Sequence, residues 1–415
     1  MLKKNCKIKG FWSFMLTAIL VLCTNTAFAA NEAMLDLLKV LRDKGTLTNQ
    51  EYDLLINASR ADEEQQSATA SSMEQKLDTA IEEVHVSGKT SSWADKVKLK
   101  GDIRTRYQGQ WEDGTEDRHR GRVRYRLGVI AKPLDQLEVG AGLASGSDDL
   151  RSTNQSFDNT FSTKAINLDY AYAQYEFNDN IKAIAGKLLY KSYLYTVTDL
   201  LWDSDINPEG ISFNYTGNNS AGTLFANAGI WVLEENSGSD DDPYMVYAQL
   251  GQKFNIGAAS AALAGTYYSF NEINALGDIV TDGTNTDYQF ENFSLAGELS
   301  FKDVVTKGTK VSLFADWVTN LDTNSDEDTG FAVGLKAEHG RWGFKYIYAD
   351  LDANAWPDIL PDSDRFDGLT GIDGHEFILE YDLMDNVTLG LDYYLMENDA
   401  NIEQNLLQLD VVVKF

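Results

Sequence analysis

Cysteine is nearly absent: Cys6 and Cys23 are the two in 415 residues, and both lie near the N-terminus. A chain that loses that stretch has no disulfide and no thiolate chemistry. Histidine is as scarce, with four residues at 85, 119, 339 and 375 and no ligand spacing of the HxxxH kind. The usual signatures of a bound metal are therefore missing, and no metal or cofactor is expected. Basic residues are few as well, 35 Lys and Arg against 64 Asp and Glu, for a net charge of −29. Nucleic acid is excluded as a partner, because it needs a basic footprint. Only 5 prolines interrupt the chain, and beyond residue 29 no apolar run is long enough for a membrane-spanning helix.

What is present begins with a leader. Lys3, Lys4, Lys7 and Lys9 form a basic stretch, Phe11 to Leu22 an apolar one, and Ala27-Phe28-Ala29 a small-x-small cleavage pattern. Residues 1–29 thus read as a signal peptide rather than an anchor, since the apolar run is shorter than the ~20 residues a spanning helix needs. A lipoprotein signal at Cys23 fits poorly, because Leu22 stands where a small residue belongs. Without the four leader lysines, 31 basic residues face 64 acidic ones, a net charge of −33.

Residues 30–92 are expected to form a periplasmic helical segment and linker. Leu35, Leu38 and Leu41 give one apolar face, and Thr48-x-x-Glu51 is a capping box for a second helix. The polar run RADEEQQSATASS at 60–72 reads as linker. Met73, Leu77, Ala80 and Val84 then repeat at a and d spacing over less than two heptads. Such a segment suits either a solvated tether, with contact to peptidoglycan, or self-association.

From residue 93 to 415 the texture is period-2. Sixteen segments alternate apolar and polar residues, separated by Gly, Asn and Asp clusters. Their connections alternate between short (Lys132 to Asp135, Asn178 to Asn180, Asn255-Ile256, His339 to Arg341, Met384 to Asn386) and long, acidic and polar (147–164, 191–207, 271–288, 352–374). An even strand number with tight turns at one end and long loops at the other is the pattern of an outer-membrane barrel.

Alternation also sets facing. In the second segment Val123, Tyr125, Leu127 and Val129 share one face, and Arg120, Arg122, Arg124 and Arg126 the other. A soluble protein would bury the apolar face; a membrane barrel turns it to lipid and its polar face to water. Three features favour the barrel: charges on every second face of an exported chain, aromatics gathered near strand ends, and a terminal Phe415 preceded by Leu407, Leu409, Val411 and Val413. The aromatics in question, Tyr190, Tyr193, Trp231, Tyr267, Tyr268, Trp342, Tyr393 and Tyr394, are expected in interfacial girdles.

These parts together resemble the putative porin family of Gram-negative bacteria, within the broad porin superfamily. They comprise LLKVLRDKGTLTNQEYDLL at 37–55, KVKLKGDIRTRY at 96–107, the Arg-rich second segment, TDLLWDSDINPEG at 198–210 and Phe415. The resemblance implies an all-β membrane protein. This is a sixteen-stranded antiparallel transmembrane barrel in the outer membrane, amid lipid and lipopolysaccharide, with its N-terminal helical segment in the periplasm. It also implies a homotrimer passing small hydrophilic solutes and ions passively, and no enzyme. A solute-specific anion or sugar porin, and a tether to the cell wall, are the alternatives.

Seven of the twelve arginines fall between 104 and 126, and alternation puts Arg104, Arg106, Arg120, Arg122, Arg124 and Arg126 on the lumenal face. On the lipid face each would cost about 2–4 kcal/mol at the midplane. They read either as a pore-lining basic ladder or as a wall stiffened by acids across the lumen. In porins similar to this chain the third external loop folds inward with its acids toward a basic wall. Here that loop carries Asp199, Asp203 and Asp205 around Leu200-Leu201-Trp202, an apolar triplet better suited to packing inside a barrel than to water. His119 and His375 have no GxSxG-type nucleophile beside them.

Overall fold

The computed structural model describes residues 96–415 except 148, 239–241, 277–284, 286–288 and 324, together with Lys44 and Thr48. The expected signal peptide, paired helices and heptad segment fall outside the described residues.

The described residues form a single antiparallel sheet. Its strands are β1 (Val97–Glu112), β2 (Arg118–Leu134), β3 (Leu137–Ser145), β4 (Gln155–Ser156), β5 (Ile166–Asn178), β6 (Ile181–Lys187), β7 (Glu209–Asn219), β8 (Gly222–Val232) and β9 (Tyr244–Ile256). They continue with β10 (Ala259–Asn271), β11 (Glu291–Lys302), β12 (Thr309–Asn320), β13 (Thr329–His339), β14 (Trp342–Leu351), β15 (Ile372–Met384), β16 (Val387–Asn398) and β17 (Glu403–Lys414). Each long strand pairs with its neighbour in sequence, and β17 returns to β1, with Arg106 opposite Asp410 and Arg104 opposite Val412. The two-residue β4 pairs only with β2, so sixteen strands close the ring. Closure removes every edge, which is what lets a sheet stand in lipid.

Alternation decides facing along each strand. Leu99, Ile103, Val139, Phe213, Leu263, Leu313, Val333, Leu379 and Val411 are exposed on the outside. Asp102, Arg106, Arg124, Gln249, Asp316, Glu376 and Gln408 are buried inside. An apolar exterior over a polar interior is the arrangement of a transmembrane barrel, inverted from a soluble one.

One end carries tight turns and the other long loops. The turn after β9 falls at Gly257-Ala258, not at Asn255-Ile256: strand pairing runs through Ile256, and Gly257 takes the left-handed φ of 61° that the turn needs. Strand β2 extends through Pro133 to Leu134, where a register shift in its pairing with β3 relieves the missing N–H. Strand β6 stops early, at Lys187, because the chain turns in through a 3-10 turn at Tyr190–Ser192.

The aromatic girdle is smaller than alternation near strand ends suggests. Tyr190, Tyr193, Trp231, Tyr268 and Tyr394 are 5% exposed or less, and belong to an interior cluster. Adjacent residues such as Tyr267 and Tyr268 must point to opposite faces, so only one of each such pair reaches lipid. Tyr267 and Trp342 do remain outside.

Candidate functional site

The basic ladder stands on adjacent strands. The register sets Arg104 opposite Arg124, Arg106 opposite Arg122, Gln108 opposite Arg120 and Asp102 opposite Arg126. Like charges directly across a strand pair repel, so the ladder needs nearby acids. Asp410 of β17 takes two hydrogen bonds from Arg106, from Nε and Nη2, each 2.7 Å, and lies 3.6 Å from Arg104. Asp392 of β16 stands 3.9 Å from Arg106. Asp102 accepts from Arg124 at 2.9 Å and from Arg126 at 2.8 Å. Alternation sets Asp392 on the polar face of its strand, while Asp102 and Asp410 are absent from the sequence reading, although Asp410 alternates with the apolar face of Leu409 and Val411 and so was visible as inward.

Among the described residues, three loops that fold into the barrel reach the ladder. The first, between β3 and β5, drops to the ladder: Arg104 donates to Asn154 at 2.7 Å and Arg122 to Ser152 at 3.2 Å. The second, residues 188–208, buries Leu200, Leu201 and Trp202 against strands on the far side. Tyr247 Oη donates to the Tyr193 carbonyl at 2.8 Å, and the Thr198 hydroxyl and N–H both bond Asp316. Trp202 meets Trp231 and Trp356 edge to face, with ring centroids 5.3 and 5.7 Å apart.

The third is residues 352–371, expected as a polar surface loop and found buried. Trp356 is fully buried and its Nε1 donates to the Leu201 carbonyl at 2.7 Å. Asp203 N–H donates to the Leu360 carbonyl at 2.8 Å, and Ser363 N–H to Asp203 Oδ2 at 3.0 Å. Arg151, from the first loop, ties in through its Nη1 to the carbonyls of Asp358 and Gly368, each 3.1 Å. Its many acids masked an apolar core of Trp356, Ile359, Leu360 and Phe366, and that core was the missed signal.

The loop acids therefore divide. Asp205 faces the ladder, 3.5 Å from Arg126 and bonded by Thr153 N–H and Oγ1 at 3.2 and 3.0 Å. Burial would raise its carboxyl, but Arg124, Arg126 and Arg104 outweigh this and hold it below the usual range. Asp199 and Asp203 do not face Arg104, Arg106, Arg122 or Arg124. Asp199 meets Arg365 at 2.6 Å, and Arg365 meets Glu376 of β15 at the same distance. Burial works against the Asp199 charge, and Arg365, with Lys345 beyond it, overrides burial and keeps the carboxyl well below its ordinary value. Asp203 meets no cation among the described residues, and burial, with Asp205 close by, pushes it up to about 8. In place of Asp199 and Asp203, Asp364 reaches the ladder, 3.4 Å from Arg106.

Two recesses flank this crossing. The one toward the tight-turn end holds about 430 Å³ between Lys100, Asp102, Arg126, Asp169, Asp205 and Asn207. The one toward the long-loop end holds about 500 Å³ and is lined by Arg118, Arg120, Arg122, Asp149, Asp364 and Asp367, among others. Between them the ladder meets Ser152, Asn154 and Asp205. His119 and His375 lie on the outer face, each hydrogen-bonded to a tyrosine, Tyr107 and Tyr346, at 2.9 Å.

A lipid-facing barrel narrowed from within by its own loops, with a charged wall along the remaining path, defines a channel-forming outer-membrane protein. The family model described as putative porin matches residues 110–339, more than half of the chain, and the chain belongs to that family. In solved structures it is similar to OprB of Pseudomonas putida, at high pH, with a TM-score of 0.54 and 12% identity over 78% of this chain and 95% of that one. It is also similar to a triple mutant of the Rhodopseudomonas blastica porin, with a TM-score of 0.42 and 14% identity over 77% and 100%. No curated protein matches the sequence.

Proposed function

We propose that the protein is a passive diffusion channel for small hydrophilic solutes and ions, and that its path runs off-centre along the wall of β1, β2, β16 and β17. The observation that carries this reading is the pair of charged recesses on either side of the row Arg104, Arg106, Arg122 and Arg124, while buried loop aromatics pack against the opposite strands. Guanidinium groups on the wall and carboxylates on the loops set a transverse field, which orders water and admits polar solutes over apolar ones. Selectivity follows from two opposed terms. The chain's −29 charge concentrates cations near the mouths. Inside, most ladder charge is neutralised by Asp102, Asp410, Asp364 and Asp205. Screening over ~8 Å mutes distant loops but not the mouth itself, so the balance tips weakly toward cations.

Single-channel recording in planar bilayers under a salt gradient tests the proposal. Arg122→Gln with Arg124→Gln should strengthen cation preference and raise conductance, whereas Asp205→Asn should shift the reversal potential toward anions. Unchanged reversal potentials in both would place the path elsewhere. The proposal extends to a cleaved leader ending at Ala29, a periplasmic N-terminal segment in contact with peptidoglycan, and assembly as a homotrimer.

A further inference from the structure

The recess at the long-loop end carries charges that its own structure leaves uncompensated. Among the described residues, no ion pair within 4.0 Å involves Arg118, Arg120, Arg122 or Asp367. This sets them apart from Arg104, Arg106, Arg124 and Arg126, each of which meets a carboxylate. The Nε atoms of Arg120 and Arg122 are buried without an acceptor, in a wall where a missing partner is costly. Across the recess, Asp367 accepts only amide donors, from Gln404 at 3.0 Å and Gln110 at 3.3 Å.

The backbone holds that carboxylate by force. Phe366 and Asp367 are consecutive non-glycine residues at φ of 47° and 56°, in the left-handed region. Phe366 is buried in the interior cluster, which anchors the strained turn while Asp367 stays exposed to the recess. Strain of this kind persists where the surrounding packing overdetermines it, and clusters at ligand sites. Guanidinium groups and a carboxylate with no direct ion pair between them thus line one recess of about 500 Å³, Asp367 and Arg120 standing near enough to feel each other but not to bond.

We infer that this recess is a binding site for small zwitterions, solutes bearing a carboxylate for Arg120 and Arg122 and an ammonium for Asp367. Inorganic ions satisfy one side only; a solute with both charges satisfies both at once. Transient capture raises the solute's concentration at the head of the path, and the ladder's paired acids and bases below give it no single strong trap. The inference rests on the channel reading, and names the solute class for it.

Liposome swelling with purified full-length protein tests it, alongside potassium chloride conductance on the same preparation. L-Glutamine should enter several-fold faster than arabinose, an uncharged solute of similar size. Arg120→Gln and Asp367→Asn should each lower the ratio of glutamine to arabinose entry toward one; asparagine also tolerates the left-handed backbone. Equal entry of glutamine and arabinose, with normal conductance, overturns the site and leaves the channel standing. Fastest entry by L-glutamate, with no effect of Asp367→Asn, overturns it in favour of an anion site. Absent conductance overturns the channel reading and this site with it.

Discussion

At the scale of single residues the loops show how burial and charge set behaviour. Asp203 accepts hydrogen bonds from the N–H groups of Ser363 and Asp205, at 3.0 and 2.8 Å, which favour its ionised form. Burial and the neighbouring Asp205 outweigh them and leave its carboxyl near 8 rather than 3.8. Between those values the folded loop holds a proton that the unfolded chain has released. More protons bound in the native state means stability falls as pH rises through that window. Loop docking should accordingly be tightest near pH 5 and loosen by pH 9, seen as growing open-channel noise in single-channel records. Asp203→Asn should flatten the dependence; noise that still rises with pH in that variant would assign it to another group.

At the scale of elements, residues 188–208 and 352–371 form one plug joined through Arg365. This guanidinium is 2% exposed and stands between Asp199 and Glu376, so it ties both loops to β15. Burial disfavours its charge, but Asp199, Glu376 and Asp362 hold it protonated more firmly than an ordinary arginine. Removing one member of a buried ion cluster leaves the others uncompensated, at a cost of about 3–5 kcal/mol. Arg365→Gln should therefore release the plug: larger and more variable conductance steps, and new protease cleavage within 352–371, while the barrel persists. Adding Asp199→Asn should recover part of the wild-type behaviour, because it removes one of the stranded charges. Conductance equal to wild type in Arg365→Gln would show that the aromatic contacts of Trp202 and Trp356 hold the loops unaided.

At the scale of the molecule, the outer surface invites assembly. Exposed apolar residues ring the barrel, and strand β10 opens with the small residues Ala259 and Ala261 on its outer face, which permit close approach of a second copy. A homotrimer is the expected state, to be read as mass in mild detergent by light scattering or native mass spectrometry. A single species at the 46.2 kDa of one chain, less any leader, would refute it.

Strand number, facing and the inward arginine row were legible in the sequence because a strand's side-chain period is local: residue i decides the face of i+2. Strands β12, β13 and β14 begin and end where alternation puts them, at Thr309–Asn320, Thr329–His339 and Trp342–Leu351. Partnership is not local. Arg106 finds Asp410 at a separation of 304 residues only because β17 closes on β1, and Trp356 finds Leu201 across 155. Alternation likewise could not say that loop 352–371 turns inward, since its five acids are scattered among its apolar residues and no strand period runs through it. Burial there is decided by the strands already lining the lumen. The sequence by itself determined a closed barrel with a basic inner stripe; only the tertiary structure decided which acids meet that stripe and which loops fold in beside it.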